Sequence, residues 1–273
     1  MDAIKLQLKS AAPREHDPRI KADRLEYLAN LPRAKTAVRE RMRKYFHAQQ
    51  LEVVANLERA GLPKAAPAGY KTNFGKWLQQ VLFDDVKQNG IIKGISADIS
   101  RSNVAAGAAA IAKLLGIDPS EILASPHVVS FVDRRSFVML DVNTTTRQAL
   151  RATLQEGVAV GEDLGQLRNR ITGVYDEAQG FRAEMIARTE VGSAQQFGRM
   201  EEMKAQKVEN QVWVAIFNNT RPAHADADGE VVKVGERFNV GGEFLDYPGD
   251  FSGSPDNTIN CQCSVSPTLE SAD

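Results

Sequence analysis

"FRAEMIARTEVGSAQQFGRMEEMKAQKVENQVWVAIFN", residues 181–218, changes its patterning at Glu209. Before that point Met185, Ile186, Ala194 and Met200 recur at helical spacing and no proline interrupts. The spacing predicts one long helix from about Phe181 to Lys207. After it, QVWVAIFN alternates and is rich in β-branched and aromatic side chains, which predicts a strand. The expected fold class is therefore α+β: a mostly helical N-terminal body followed by a small β-rich C-terminal module packed on a long helix.

Upstream, Leu31 to Ala60 reads as a long helix with a stripe of Val38, Met42, Phe46, Val53 and Leu57, closed by a loop containing Gly61, Pro63 and 65–69. Phe74, Trp77, Leu78, Val81 and Leu82 predict an amphipathic helix ending near Gly90. Ala105 to Leu115 predicts another, broken by Gly116, Asp118 and Pro119 and followed by a short helix. HVVSFVDRRSFVML (127–140) fits either a helix or short strands; its helical neighbours favour helix. In 141–157, Asn143 and Thr144–Thr146 offer N-caps ahead of Leu150 and Leu154, with Gly157 as the stop. GEDLGQLRNRITGVYD adds a short amphipathic helix. Downstream, 218–230 is dense in turn formers, 230–244 reads as short strands joined by Gly turns, 247–257 as an irregular loop and TINCQCSVSP as a last strand.

With 42% apolar and 25% charged residues over 273 positions, collagen-like, disordered and disulfide-scaffold classes are excluded. No apolar run approaches the ~18–20 residues a membrane span needs. The start lacks the apolar region of a secretory signal, so synthesis in a cytoplasm is expected. Two cysteines in so long a chain fit a reducing compartment. Residues 1–60 carry 13 Lys and Arg against 8 Asp and Glu, whereas residues 208–273 carry 3 against 11. A basic head and an acidic tail suggest different partners at the two ends.

His224, Cys261 and Cys263 could supply three zinc ligands, with Asp226 or Asp228 as a fourth. C-x-C is not the spacing of a zinc knuckle, and on a strand the two thiols would share a face, which equally suits core packing. Packing stands ahead of metal on this reading, zinc is expected to be substoichiometric, and a disulfide comes last because i,i+2 geometry separates the sulfurs. Arg188, Glu190, Arg221 and His224 are the residues a nuclease would use, but they match no catalytic signature. The simpler expectation is an ion-paired helix-to-sheet contact for Arg188 and Glu190 and a backbone-bonded turn residue for His224. Asp226 and Asp228 lack the companions of a calcium loop, so a hairpin turn at Asp228-Gly229 is expected. His16, His47 and His127 read as surface or interface residues. Arg39, Arg41, Arg43 and Lys44 could meet phosphates or a partner protein, while Val38, Met42 and Phe46 among them form a packing seam.

Four segments in order, MIARTEVGSAQQFGRME, VWVAIFNNTRPAHADADGEVV, FNVGGEFLDYPGD and NTINCQCSVSP, resemble the phage head-morphogenesis proteins known as Mu F-like minor head proteins. The shared pattern falls on Ala187-Arg188-Thr189-Glu190, Trp213, Arg221 with His224, Pro248 with Asp250, and Asn260-Cys261 with Cys263. Gln262 departs from it, since the family often has arginine there. The resemblance covers about residues 140–267. It implies a division into residues 1–140, a variable helical region able to dock on portal or DNA, and 141–273, the shared module, with helices over 144–207 and β structure over 208–267. It makes Arg188, Glu190, Arg221, His224, Cys261 and Cys263 a structural network of that module, with no catalytic residue and no cofactor other than zinc.

The function implied is a portal-associated minor head protein of a bacteriophage virion, made in the bacterial host cytoplasm and carried in the capsid interior. It would act in capsid assembly and in DNA packaging or ejection. Its partners would be the portal protein, then major capsid or scaffold protein and double-stranded DNA, and no membrane. The alternative is a nuclease-like enzyme using Glu190 and His224.

Overall fold

The computed structural model describes residues 17–60, 77–217 and 220–270. His16, the 61–69 loop and Phe74 lie outside the described residues. The helices are α1 (Pro18–Ala60), α2 (Asp85–Leu115), α3 (Pro126–Val138), α4 (Leu140–Ala159), α5 (Leu164–Glu177) and α6 (Ala183–Ala205). Then follow β1 (Asn210–Val214), the short helix α7 (Pro222–Asp226), β2 (Val231–Lys233), β3 (Phe238–Val240), β4 (Glu243–Leu245), the short helix α8 (Pro255–Thr258) and β5 (Ser264–Thr268). The α+β expectation holds: a mostly helical chain ends in a small antiparallel module. No helix among the described residues is long and apolar enough to cross a membrane.

The helix boundaries differ from the sequence reading in three places. α1 starts at Pro18 rather than Leu31 and takes Pro32 into its interior, because buried Ile20, Tyr27 and Leu31 extend the apolar stripe upstream. Leu78–Leu82 is a π-helical turn, and the chain breaks at Phe83 and Asp84. Asp84 then caps the next helix by accepting the Lys87 N–H at 3.0 Å. That helix, α2, runs through Gly90 to Leu115 in one piece. Gly90 costs it about 1 kcal/mol against alanine, a penalty that buried Ile92 and Ile99 outweigh. α4 starts at Leu140, so Asn143 and the threonines are interior, not caps. Thr145 and Thr146 satisfy their hydroxyls on the carbonyls of Asp141 and Val142, at 2.8 and 2.9 Å. Gly157 is likewise inside α4. HVVSFVDRRSFV is helical, as its neighbours suggested.

The chain forms two compact units, and neither is continuous in sequence. The first takes in the described residues of 1–36, 99–130 and 187–273; the second takes in those of 37–98 and 131–186. The division at 140 follows the motifs, whereas these units interleave segments from both sides of it.

In the second unit, buried Gln49 bonds Tyr45 Oη and Gln88 Oε1 at 2.9 and 3.0 Å and accepts from Tyr175 Oη at 3.1 Å. Asn143 joins the same network, accepting from Tyr45 Oη at 2.5 Å. Val38, Met42 and Phe46 are buried, as the packing seam required. The basic cluster is largely neutralised: Arg39 meets Glu184 at 3.4 Å, Arg41 meets Asp98 at 2.6 Å, and Arg43 meets Glu40 at 3.3 Å. Lys44 and His47 are exposed.

In the first unit, β1 is the central strand of the order β2-β1-β5, both pairings antiparallel, with Trp213 opposite Val265. Its alternation feeds two cores. Val212 and Val214 pack with Ile20. Trp213 packs with Met203, Phe238, Val240, Leu245, Cys261, Cys263 and Val265. β3 and β4 form a hairpin whose turn residues, Gly241 and Gly242, have φ of 62° and 88°, a left-handed pair that side chains disfavour.

Candidate functional site

Three segments of the first unit build the site. The first is α7, where Arg221 is the residue before the helix and Pro222 its opening position, with φ already near the helical value. The sequence reading made His224 a backbone-bonded turn residue. Instead it sits inside this helix, and its ring enters the core at 1% exposure, 5.5 Å from the Trp213 ring in an edge contact.

The second segment is Ile259–Cys263. The cysteines precede β5 rather than lying on it, so a shared strand face does not explain their convergence. Three contacts do. Asn260 adopts φ 61° and donates its N–H to Thr189 Oγ1 at 3.1 Å. Arg221 bonds the Ile259 carbonyl. The third segment, α6, comes close enough at Gly192 that an added Cβ would stand 2.9 Å from the Cys261 carbonyl oxygen. Thr189, Gly192 and Asn260 thus position the thiols. The sequence reading gave none of the three a site role, although all lie within the segments it quoted. Gly192→Val is expected to cost about 1–3 kcal/mol through overpacking and to alter thiol reactivity. Urea unfolding with thiol titration checks this, and unchanged values in both would refute it.

The thiols converge on one nitrogen. His224 Nδ1 lies 3.5 Å from Cys261 Sγ and 3.6 Å from Cys263 Sγ, and all three residues are buried. A hydrogen bond between the thiols pushes Cys261 up, helped by burial, and holds Cys263 down, with His224 adding to the second effect. His224 Nε2 has no hydrogen-bond partner among the described residues. Both cysteines are free, so the disulfide reading does not apply.

The other expected residues divide. Asp226 is exposed and Asp228 is committed to the core, accepting the Ala215 N–H at 2.8 Å; neither joins the cluster as a fourth ligand or forms a calcium loop. The Asp228-Gly229 hairpin is also corrected. β1 and β2 do pair, but the connection between them carries α7, because Asp228 and the His224 ring anchor it inward. Arg188 and Arg221 line a cavity of about 700 Å³ with Lys35, Thr220, Gln262 and the cluster itself. At Gln262, Lys35 Nζ donates to Oε1 at 3.2 Å. Glu190 is 5% exposed on α6 and is not among the residues lining that cavity. His127 is exposed and lies 3.3 Å from Glu201.

Residues 148–266 match the family model described as Phage Mu protein F like protein. No curated protein and no solved structure matches the chain. The matched span runs from within α4 to within β5 and contains His224, Cys261, Cys263 and the residues of α6 that hold them. Over residues 148–266 the chain is therefore similar to the Phage Mu protein F like family.

Proposed function

We propose that this chain is a portal-associated minor head protein, carried in the capsid interior and acting in head assembly and in DNA packaging or delivery. The match over 148–266 carries this reading. The reading is non-enzymatic. A nuclease using Glu190 with His224 would need the carboxylate beside the imidazole. Glu190 does not line the His224 cavity, and no other carboxylate does among the described residues.

Deleting residues 1–60 would be a poor test of docking, because Ile20, Tyr27, Leu31 and Phe46 are core residues. Cross-linking and mass spectrometry of purified particles ask the question directly. The chain is expected in DNA-filled heads in few copies, cross-linked to portal. Its absence from such heads, or cross-links confined to the outer shell, would overturn the proposal. Plasmid nicking by the purified chain, lost in His224→Ala, would instead support the nuclease.

A further inference from the structure

We infer that His224 Nδ1, Cys261 Sγ and Cys263 Sγ hold one zinc ion, with a fourth position that opens on the cavity beside Arg188 and Arg221. The three ligand atoms lie within 4.8 Å of one another in a buried site. The separations of 3.5 and 3.6 Å fit a tetrahedral centre. Zinc–sulfur and zinc–nitrogen bonds of about 2.3 and 2.0–2.1 Å place two such ligands about 3.6 Å apart.

Packing and the weak thiol contacts leave this arrangement only partly satisfied. A neutral imidazole carries one proton, so Nδ1 serves both sulfurs only through a weak three-centre bond, yet both stand at nearly equal range. A cation between the three atoms satisfies all of them together. Two thiolates neutralise a dication, and binding releases the thiol protons still present. The approach of α6 at Gly192 and the Thr189 bond hold the segment before any ion arrives.

No fourth His, Cys, Asp or Glu joins the cluster among the described residues. The cavity lined by Lys35, Arg188, Thr220 and Arg221 borders the three ligands, so a solvent molecule there can complete the tetrahedron. The ion would join α7 to the segment before β5 in a β unit of short strands, where a staple contributes most. This inference is independent of where the chain resides in a particle.

The test uses the full chain, reduced and purified without an added metal-binding tag. Elemental analysis with native mass spectrometry is expected to find about one zinc per chain. Cobalt(II) added to the metal-stripped chain is expected to give thiolate-to-cobalt charge-transfer absorption. That absorption should weaken in Cys261→Ser and Cys263→Ser and shift in His224→Asn. If the variants fail to fold, the wild-type stoichiometry and cobalt spectrum decide alone. A folded, reduced chain with neither zinc nor a cobalt–thiolate band would overturn the inference. So would zinc that persists in a folded Cys261→Ser, Cys263→Ser double variant.

Discussion

Arg199→Ala is expected to lose about 3–5 kcal/mol of stability, the range for breaking a buried ion pair from one side. Arg199 is 1% exposed on α6, and its guanidinium meets the Asp23 carboxylate of α1. The same group donates to the Val265 carbonyl at 2.8 Å and to Ser266 Oγ at 3.4 Å. Truncation would leave Asp23, itself 7% exposed, without its buried countercharge, and the carbonyl of β5 without its donor. Asp23→Ala should cost a similar amount for the converse reason. The double variant Asp23→Leu, Arg199→Met should recover part of the loss, because neither a lone buried charge nor a large hole remains. Urea unfolding of the four proteins measures this. A cost below about 1 kcal/mol for Arg199→Ala would mean the pair is solvated in the folded chain.

The second large effect has a sign opposite to helix propensity. Gly198 and Gly107 sit inside α6 and α2, where alanine alone would stabilise by about 1 kcal/mol. In the first unit these helices nearly touch. A Cβ on Gly198 would stand 2.1 Å from the Val104 carbonyl oxygen, and one on Gly107 would stand 2.0 Å from that of Gln195. Both obstacles are backbone, so the helices themselves must separate. Gly198→Ala and Gly107→Ala should each destabilise by about 2–3 kcal/mol, at the upper end of overpacking costs. Gly94→Ala in the same α2 is the control, since nothing lies within 4 Å of its added Cβ. It should stabilise slightly. Thermal unfolding in which all three alanines stabilise alike would show that the helices do not cross this closely.

Much of the outline was legible in the sequence because it depends on local periodicity. The helix of Met185, Ile186, Ala194 and Met200 forms as its spacing implies, and QVWV alternates into β1. Errors arose where a local signal was overridden from a distance. Gly90 reads as a stop, yet Ile92 and Ile99 continue the helix through burial. Asn143 reads as a cap, yet it belongs to the buried network around Gln49. At the site, residue types pointed to His224, Cys261 and Cys263, but a strand face was the wrong reason for their meeting. Asp226 and Asp228 were plausible ligands by proximity in sequence. One turned to solvent and the other to the Ala215 amide. Gly192 carried no sequence signal, because a glycine in a helix does not reveal what backbone approaches it.

The sequence by itself determined which stretches coil, which extend and which residue types could bind a metal, since those follow from spacing along one chain. Only the tertiary structure decided that Asp23 answers Arg199 across 176 residues, that two glycines let α2 and α6 touch, and that one imidazole nitrogen lies between two sulfurs. Such pairings depend on how distant surfaces fit under close packing, and no pattern within a single segment encodes that fit.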